Sequence, residues 1–367
     1  MAGARREQDR QCLAEIELAL KEHADDLAVY LVYDRASLIA TRPGLARTYF
    51  AERCVPDAQL RRMRDAFLSV GAHAEILGGE HEFLAAMAVV RDCAQRKLQV
   101  IYNGLSYNVG KGAFEPGRKA LLPLLADSYG LMCVNSNAYP CTFTLHKFHC
   151  FTLLRALGVK APRTWQYRLE KGWVHGHPPL GTKVIAKPTY ESWAVGVDEA
   201  SVFIADESCS THVEGLAERV GQDITVQEFI TGIEVYVPVL SCPELVATSP
   251  MESVLTRAPG DLHAFVTLED NLSDDAIFYR RFDGGEEVDR HLRSSALRVF
   301  DLLQLEGFGR IDFRIDADGQ PWVFDIAISP GMERGGAGAK SLAEYGFDYP
   351  SFVRLVVAAS MATKGLI

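Results

Sequence analysis

The chain contains no run of about 18 apolar residues, so no segment reads as a membrane-spanning helix. Its eight cysteines include no CxxC pair. That removes the common zinc-ribbon and dithiol redox motifs and leaves scattered thiols of the reduced, buried kind. His146, His149 and Cys150 share helical spacing, but no second ligand cluster follows at finger spacing. Positive charge is scarce: 38 Lys and Arg stand against 48 Asp and Glu, for a net charge of −10. This balance argues against nucleic acid as a partner, while allowing a locally basic pocket for an anion. The first residues, Met1 to Asp9, lack the apolar stretch of a signal peptide, and the expected location is cytoplasmic. Two nucleotide-binding motifs are missing as well. Gly335 to Ser341 looks like a P-loop, yet Arg334 and Ala339 stand where that motif needs glycine. No strand runs into GxGxxG. No repeat or low-complexity tract appears.

What is present suits a globular protein of two or three domains. The chain has 367 residues, 48% hydrophobic and 23% charged, too many for one simple core. Residues 7–24 read as an amphipathic helix. Leu27 to Tyr33 is a continuous apolar run, the mark of a buried parallel strand. Strand candidates at 74–77, 98–102 and 131–134 alternate with helical patterns at 57–71, 80–96 and 116–129, which predicts an open α/β sheet ending near residue 142. A helix at 144–157, a strand at 182–188, a loop at 189–196, a helix at 209–220 and a strand at 225–230 form a second, α+β unit. The third starts with a strand at 234–240 and holds helices at 288–304 and 351–362. The expected domains are 1–142, 143–236 and 237–367.

The most informative segment is a hairpin. Phe308 to Ile315 and Pro321 to Ser329 flank Asp318-Gly319, a strong turn signal. A two-residue turn there places Asp312 opposite Asp325, and Arg310 opposite Ala327. Ile311, Phe313 and Ile315 then meet Ile326, Phe324 and Trp322 on an apolar face. Facing like charges destabilise a sheet, so two opposed aspartates call for a hard divalent cation. A half-exposed hairpin also alternates apolar and charged residues, and a three-residue turn would shift the register.

Six segments in order add to this. They are Tyr102-Asn103-Gly104, Leu145-His146-Lys147, Val184 to Pro188, Gln227 to Glu234, Gly309 to Asp312, and Asp325 to Met332. From residue 98 onward their sequence resembles the ATP-grasp superfamily, in its D-alanine–D-alanine ligase-like branch. The resemblance implies an α/β fold of ATP-grasp architecture: an N-terminal open parallel α/β domain, then two α+β subdomains that sandwich ATP. It implies that Lys147 and Lys187 hold ATP phosphates, that Gln227, Glu228, Phe229 and Ile230 form the adenine hinge, and that Glu234 takes the ribose hydroxyls. Asp312 and Asp325 would hold Mg²⁺ or Mn²⁺. Arg310 and the Gly331 N–H would stabilise a developing oxyanion. The implied reaction is a ligation through an acyl phosphate, with release of ADP and phosphate. Shielding that intermediate from water needs a mobile loop, either 189–196 or 266–281. A homodimer is also implied.

The chain departs from the branch in places. Ala327 replaces an asparagine ligand, so a second Mg²⁺ would need other ligands. Trp193 and Ala194 occupy serine positions of the phosphate-covering loop. A lysine is absent near Leu268 to Asn271, and Arg280 or Arg281 is the expected substitute. Tyr33 to Ser37 lacks the glutamate that holds the donor's amino group. Glu333 to Gly336 replaces hydroxyl residues at the acceptor end, where Arg334 is a candidate carboxylate clamp. The expected substrates are therefore two amino-acid-like molecules other than a D-alanine pair, joined into a dipeptide or specialised metabolite. Two rival readings are a D-alanine–D-alanine ligase with a drifted pocket, and a non-catalytic ATP-binding regulator.

Overall fold

A computed structural model describes residues 2–33, 55–90, 97–104 and 116–367. Three sheets organise them. The first is parallel, with β1 (Leu27–Tyr33) between β2 (His73–Gly78) and β3 (Leu98–Gly104), and β4 (Met132–Cys133) beyond β3. Every β1 residue is buried, as a parallel strand covered on both faces requires. Successive side chains point to opposite faces. Val29, Leu31 and Tyr33 pack with Leu13, Leu20, Met63, Phe67 and Phe352, whereas Ala28, Tyr30 and Val32 pack with Phe83, Met87 and Leu122. The first cover includes α1 (Ala2–Glu22), α2 (Asp57–Leu68) and the C-terminal helix Tyr349–Thr363. The final helix thus completes the N-terminal core. The tract 34–37 that followed β1 in the sequence reading, and residues 91–96 of the expected helix, lie outside the described residues.

The second sheet is antiparallel. Its order is Gly172–Val174, Thr164–Arg168, Ile224–Glu228, Lys183–Pro188 and Val202–Ile204. The helix Cys209–Val220 covers it with Val213, Leu216 and Ala217. That helix stops at Gly221, whose φ of 66° is the left-handed cap an L side chain resists. The helix expected at 144–157 is two helices, Ala138–Leu145 and Lys147–Ala156. His146 breaks the run with a ψ of 85°, and its ring accepts a hydrogen bond from the His149 N–H at 3.4 Å.

The third sheet runs Ile277–Arg281, Met251–Leu255, Ile233–Ser241, Phe308–Ile315 and Pro321–Ala327, with Leu245–Ala247 beside Ile233–Ser241. The long central strand begins at Ile233, so the change of sheet falls a few residues before the expected boundary at 236. Helix Gly285–Leu302 covers one face, burying Leu292, Ala296, Val299 and Phe300 against Val235, Val237, Ile311 and Phe313. By strand alternation, Glu234, Tyr236, Arg310, Asp312 and Arg314 belong to the other face.

The hairpin reaches the expected pairing by an unexpected route. Asp312 stands opposite Asp325, Ile311 opposite Ile326 and Arg310 opposite Ala327. Near the turn, however, Phe313 meets Val323 and Ile315 meets Pro321, not Phe324 and Trp322. The loop is the longer one: the Asp316 N–H donates to Gln320 O at 3.1 Å, and Gly319 takes a φ of 73°. The Asp316 carboxylate organises it, accepting from the N–H groups of Asp318 (3.0 Å) and Gln320 (2.8 Å) and from Trp322 Nε1 (2.7 Å). A bulge at Phe324 then inserts one extra residue and restores Asp325 to the face of Asp312.

Candidate functional site

All three sheets contribute to a cavity of about 780 Å³. Its lining includes Lys147, Lys187, Gln227, Phe229, Glu234, Arg310, Asp312 and Asp325. The sheet alternation explains the carboxylates: the face that does not pack on Gly285–Leu302 is the cavity wall.

Asp312 is 2% exposed. Arg310 grips it in a fork, with Nε at 2.7 Å from Oδ1 and Nη2 at 2.8 Å from Oδ2. Burial nonetheless pushes its carboxyl up to about 7, against the pull of Arg310 and with a further push from Asp325 and Glu234. Burial opposes the Arg310 charge, but Asp312 and the nearby phenols of Tyr236 and Tyr279 hold its pKa above the ordinary value. The guanidinium lies 4.2 Å from the centre of the Tyr236 ring. Asp325 accepts a hydrogen bond from the Ile326 N–H at 2.9 Å.

Lys147 starts its helix and is buried. Its ammonium donates to the carbonyls of Pro188 (3.2 Å), Thr189 (3.5 Å) and Glu191. Burial lowers its pKa to about 8, with Asp325 and Glu191 opposing the drop and Lys187 and Arg118 adding to it. Lys187 is lowered too, mainly by burial. Its Nζ lies 5.4 Å from the centre of the bulged Phe324 ring, so the bulge also supplies an aromatic wall beside a cation.

The hinge groups are more engaged than expected. The Phe229 N–H donates to Lys183 O at 2.9 Å, and Ile230 O accepts from Arg314 Nη1 at 2.9 Å. Gln227 is buried and its amide donates to Thr164 Oγ1 at 3.4 Å. The Glu228 carboxylate pairs with Arg163 at 3.0 and 3.3 Å. Glu234 pairs with Arg314 and accepts from the Tyr236 hydroxyl at 3.3 Å. Arg314 escaped the sequence reading. It is 3% exposed, donates to Ile230 O and Ala264 O, and lies 4.6 Å from the Phe229 ring centre. Its signal was available, since it stands two residues beyond Asp312 on the same strand face.

The two candidate loops meet. Asn271 Nδ2 donates to Trp193 O at 2.9 Å. Trp193 and Ala194 both hold left-handed backbone, with φ of 63° and 58°, which is costly for residues with side chains. The stretch 266–281 is not irregular throughout, since it contains the helix Leu268–Leu272 and the strand Ile277–Arg281.

Three arginines do not reach the cavity. Arg280 pairs with Glu252 at 2.8 Å, Arg281 lies 3.8 Å from Glu344, and both are exposed on the edge strand. Arg334 is exposed and absent from the cavity wall, while its neighbour Glu333 lines it. Such arginines find local acids or water, which sequence spacing does not reveal. Gly331 lines the cavity, against the Glu333 carboxylate.

Residues 163–358 match the family model described as the D-ala D-ala ligase C-terminus. The D-alanine–D-alanine ligase of Bordetella petrii is 29% identical over 155 residues, 42% of this chain and 44% of that protein. The chain thus spans under half the length of the Bordetella relatives it matches. The corresponding ligase of Pseudomonas putida is 24% identical over 257 residues, 70% of this chain and 76% of its own length. In fold, the chain resembles a D-alanine–D-alanine ligase of Bacillus anthracis complexed with ATP, at a TM-score of 0.63 and 12% identity, covering 92% of this chain and 99% of the other. With the family model spanning more than half its length and three sheets arranged as in those ligases, the chain is a member of the D-alanine–D-alanine ligase family, with ATP-grasp architecture.

Proposed function

We propose that the protein is an ATP-dependent carboxylate–amine ligase that joins two amino-acid-like substrates and releases ADP and phosphate. The observation that carries this reading is the opposed pair Asp312 and Asp325 in a cavity also lined by Lys147, Lys187 and Arg310. A carboxylate attacking a polyphosphate brings two anions together, and only a site dense in cations offsets that repulsion. Lys147 and Lys187 supply point charges for the phosphates. Phe229 and Ile230 border the adenine end, with Glu234 placed for ribose hydroxyls and held by Arg314. Arg310 and the Gly331 N–H stabilise the oxyanion that forms when the amine attacks the acyl phosphate. The contact between loops 189–196 and 266–281 excludes water from that intermediate.

The donor set fits a hard cation. Asp312 is buried with Arg310 as its one cationic partner among the described residues, and a second carboxylate faces it across the ladder. Two oxygen donors suit Mg²⁺ or Mn²⁺, completed by phosphate and water. The ion supplies neutralisation of phosphate charge. Ala327 brings no ligand, which favours one ion held by these two residues.

The relatives favour a D-alanine pair as substrates; the altered acceptor segment Glu333 to Gly336 favours a different pair, in a dipeptide or specialised-metabolite route. Phosphate release measured over paired amino acids, D-alanine included, with product masses, separates them. Release with one pair, and a product whose mass is the sum of the two amino acids less one water, supports the ligase. ATP binding without release for every pair would leave a regulatory nucleotide binder.

A further inference from the structure

The cavity contains an anionic corner that the proposed chemistry does not use. Glu333 lines the cavity, and among the described residues its carboxylate enters no ion pair. The loop folds it back over two glycines. A Cβ placed on Gly331 would lie 2.1 Å from Glu333 Oε2, and one on Gly336 would lie 3.2 Å from the same atom. The carboxylate therefore sits over the α-carbon of Gly331, one bond from the N–H where the proposed reaction develops negative charge. Left bare, it would oppose that charge. A cation between them removes the conflict, and three of the protein's own cavity cations are engaged elsewhere: Lys147 with three carbonyls, Arg310 with Asp312, Arg314 with Glu234.

A second, independent feature lies at the same corner. Tyr102 is 1% exposed and lines the cavity, yet its hydroxyl makes no hydrogen bond of good geometry, with the hydroxyls of Tyr33 and Ser329 as its polar neighbours. The Tyr33 ring stacks on it at 5.8 Å, but the Tyr33 hydroxyl turns to Met63 Sδ at 3.7 Å. A buried hydroxyl without a partner is costly, and a native structure retains one where a ligand satisfies it. Glu333 acts electrostatically on Tyr33, Tyr102, Tyr279 and Tyr349, and all four phenols are raised, chiefly by burial. An exposed carboxylate at the cavity edge, within electrostatic reach of a buried hydroxyl that accepts no well-formed hydrogen bond, suits a cation in chemical terms.

We propose that Glu333 and Tyr102 form the ammonium-binding corner of the cavity, which takes the protonated primary amine of one amino-acid-like substrate. The ammonium donates to the Glu333 carboxylate and to the Tyr102 hydroxyl, and it neutralises Glu333 beside Gly331. The proposal rests on the ligase reading for which molecule brings the amine, but the corner's preference for a cation does not depend on turnover.

The test is calorimetric titration of the full chain with glycinamide near neutral pH, for wild type, Glu333→Gln, Glu333→Asp and Tyr102→Phe. Glycinamide binding is expected to weaken at least about tenfold in Glu333→Gln, because a charge-assisted bond is lost, and less in Tyr102→Phe. Glu333→Asp recovers part of the loss. In turnover, Glu333→Gln raises the KM of one amino-acid substrate while the KM for ATP stays unchanged. Equal affinity in wild type and Glu333→Gln, or no uptake by wild type, would overturn the assignment. Glycinamide binding through Glu333 without phosphate release from any pair would instead defeat the ligase reading and leave the ammonium corner standing.

Discussion

Arg310 and Asp312 stand two residues apart on one strand and meet as a bidentate pair on the cavity face. Asp312→Asn keeps the shape and removes the charge that grips the guanidinium and, in the proposed reaction, a metal ion. It should lower turnover by at least about a hundredfold, as loss of a group that stabilises transferring charge does. The same change should cost about 2 kcal/mol of stability through the lost charged hydrogen bonds. Phosphate-release rates and urea midpoints check both halves; an unchanged rate would remove Asp312 from the metal role. Lys147 yields a pH prediction. Its pKa in the free protein is lowered to about 8, and bound phosphates would raise it, so ATP binding is coupled to proton uptake. ATP affinity should therefore fall as pH rises above about 8, where the free protein loses the proton that the complex keeps. Lys147→Arg, which stays charged, should flatten that limb. Nucleotide titrations from pH 7 to 9.5 read it directly; an equal slope in the variant would assign the effect elsewhere, first to Lys187.

At the scale of elements, the hairpin Phe308 to Ala327 carries most of the proposed chemistry. Its pairing of Asp312 with Asp325 was legible in the sequence, while the means were not. The Asp-Gly signal suggests a two-residue turn, but the Asp316 carboxylate binds two loop N–H groups and the Trp322 indole, which favours the longer loop. The bulge at Phe324 then compensates by one residue. Without it, Asp325 would turn to the apolar face, since a one-residue slip exchanges the faces of a strand. Gly319 has a φ of 73° and open space around its missing Cβ. Gly319→Ala should thus cost about 1 kcal/mol from backbone strain alone, with Gly319→Asn milder, and neither should change the KM for ATP. Chemical denaturation of the two variants checks the order. The exposed edge strand teaches the opposite lesson: Arg280 and Arg281 have the right residue type, but their pairing with Glu252 and Glu344 takes them out of the site.

At the scale of the whole molecule, the C-terminal helix ties the two ends of the chain together. Arg354 donates to Glu17 of the first helix at 2.9 and 2.6 Å and to Ala66 O at 3.1 Å, with both charges buried. Removing one partner of a buried pair strands the other. Arg354→Met should lower stability by about 3 kcal/mol, partly offset because Lys21 also reaches Glu17 at 3.0 Å. Amide exchange in Ala2–Glu22 and Tyr349–Thr363 should rise together in that variant; exchange confined to one helix would show that they do not open as a unit. This coupling matters for function because Tyr33 and Tyr102 reach the cavity from the sheet that the C-terminal helix supports.

The sequence by itself determined what local periodicity controls. The apolar run of Leu27 to Tyr33 reads as a strand covered on both faces, and the alternation from Phe308 to Ile315 put Arg310 and Asp312 on one side whatever their surroundings. The order of six short motifs was enough to indicate the family. Tertiary structure decided everything that depends on which distant groups arrive. Arg314 became the clamp on Glu234 only because a neighbouring strand carries that carboxylate alongside it. Arg334 and Glu333 are adjacent in sequence, yet the chain turns over Gly331 and Gly336 and sends the glutamate, not the arginine, to the cavity. Alternation is a property of one strand and is written in its residues. Which charge meets which is a property of packing, where burial and the partner's position outweigh residue type.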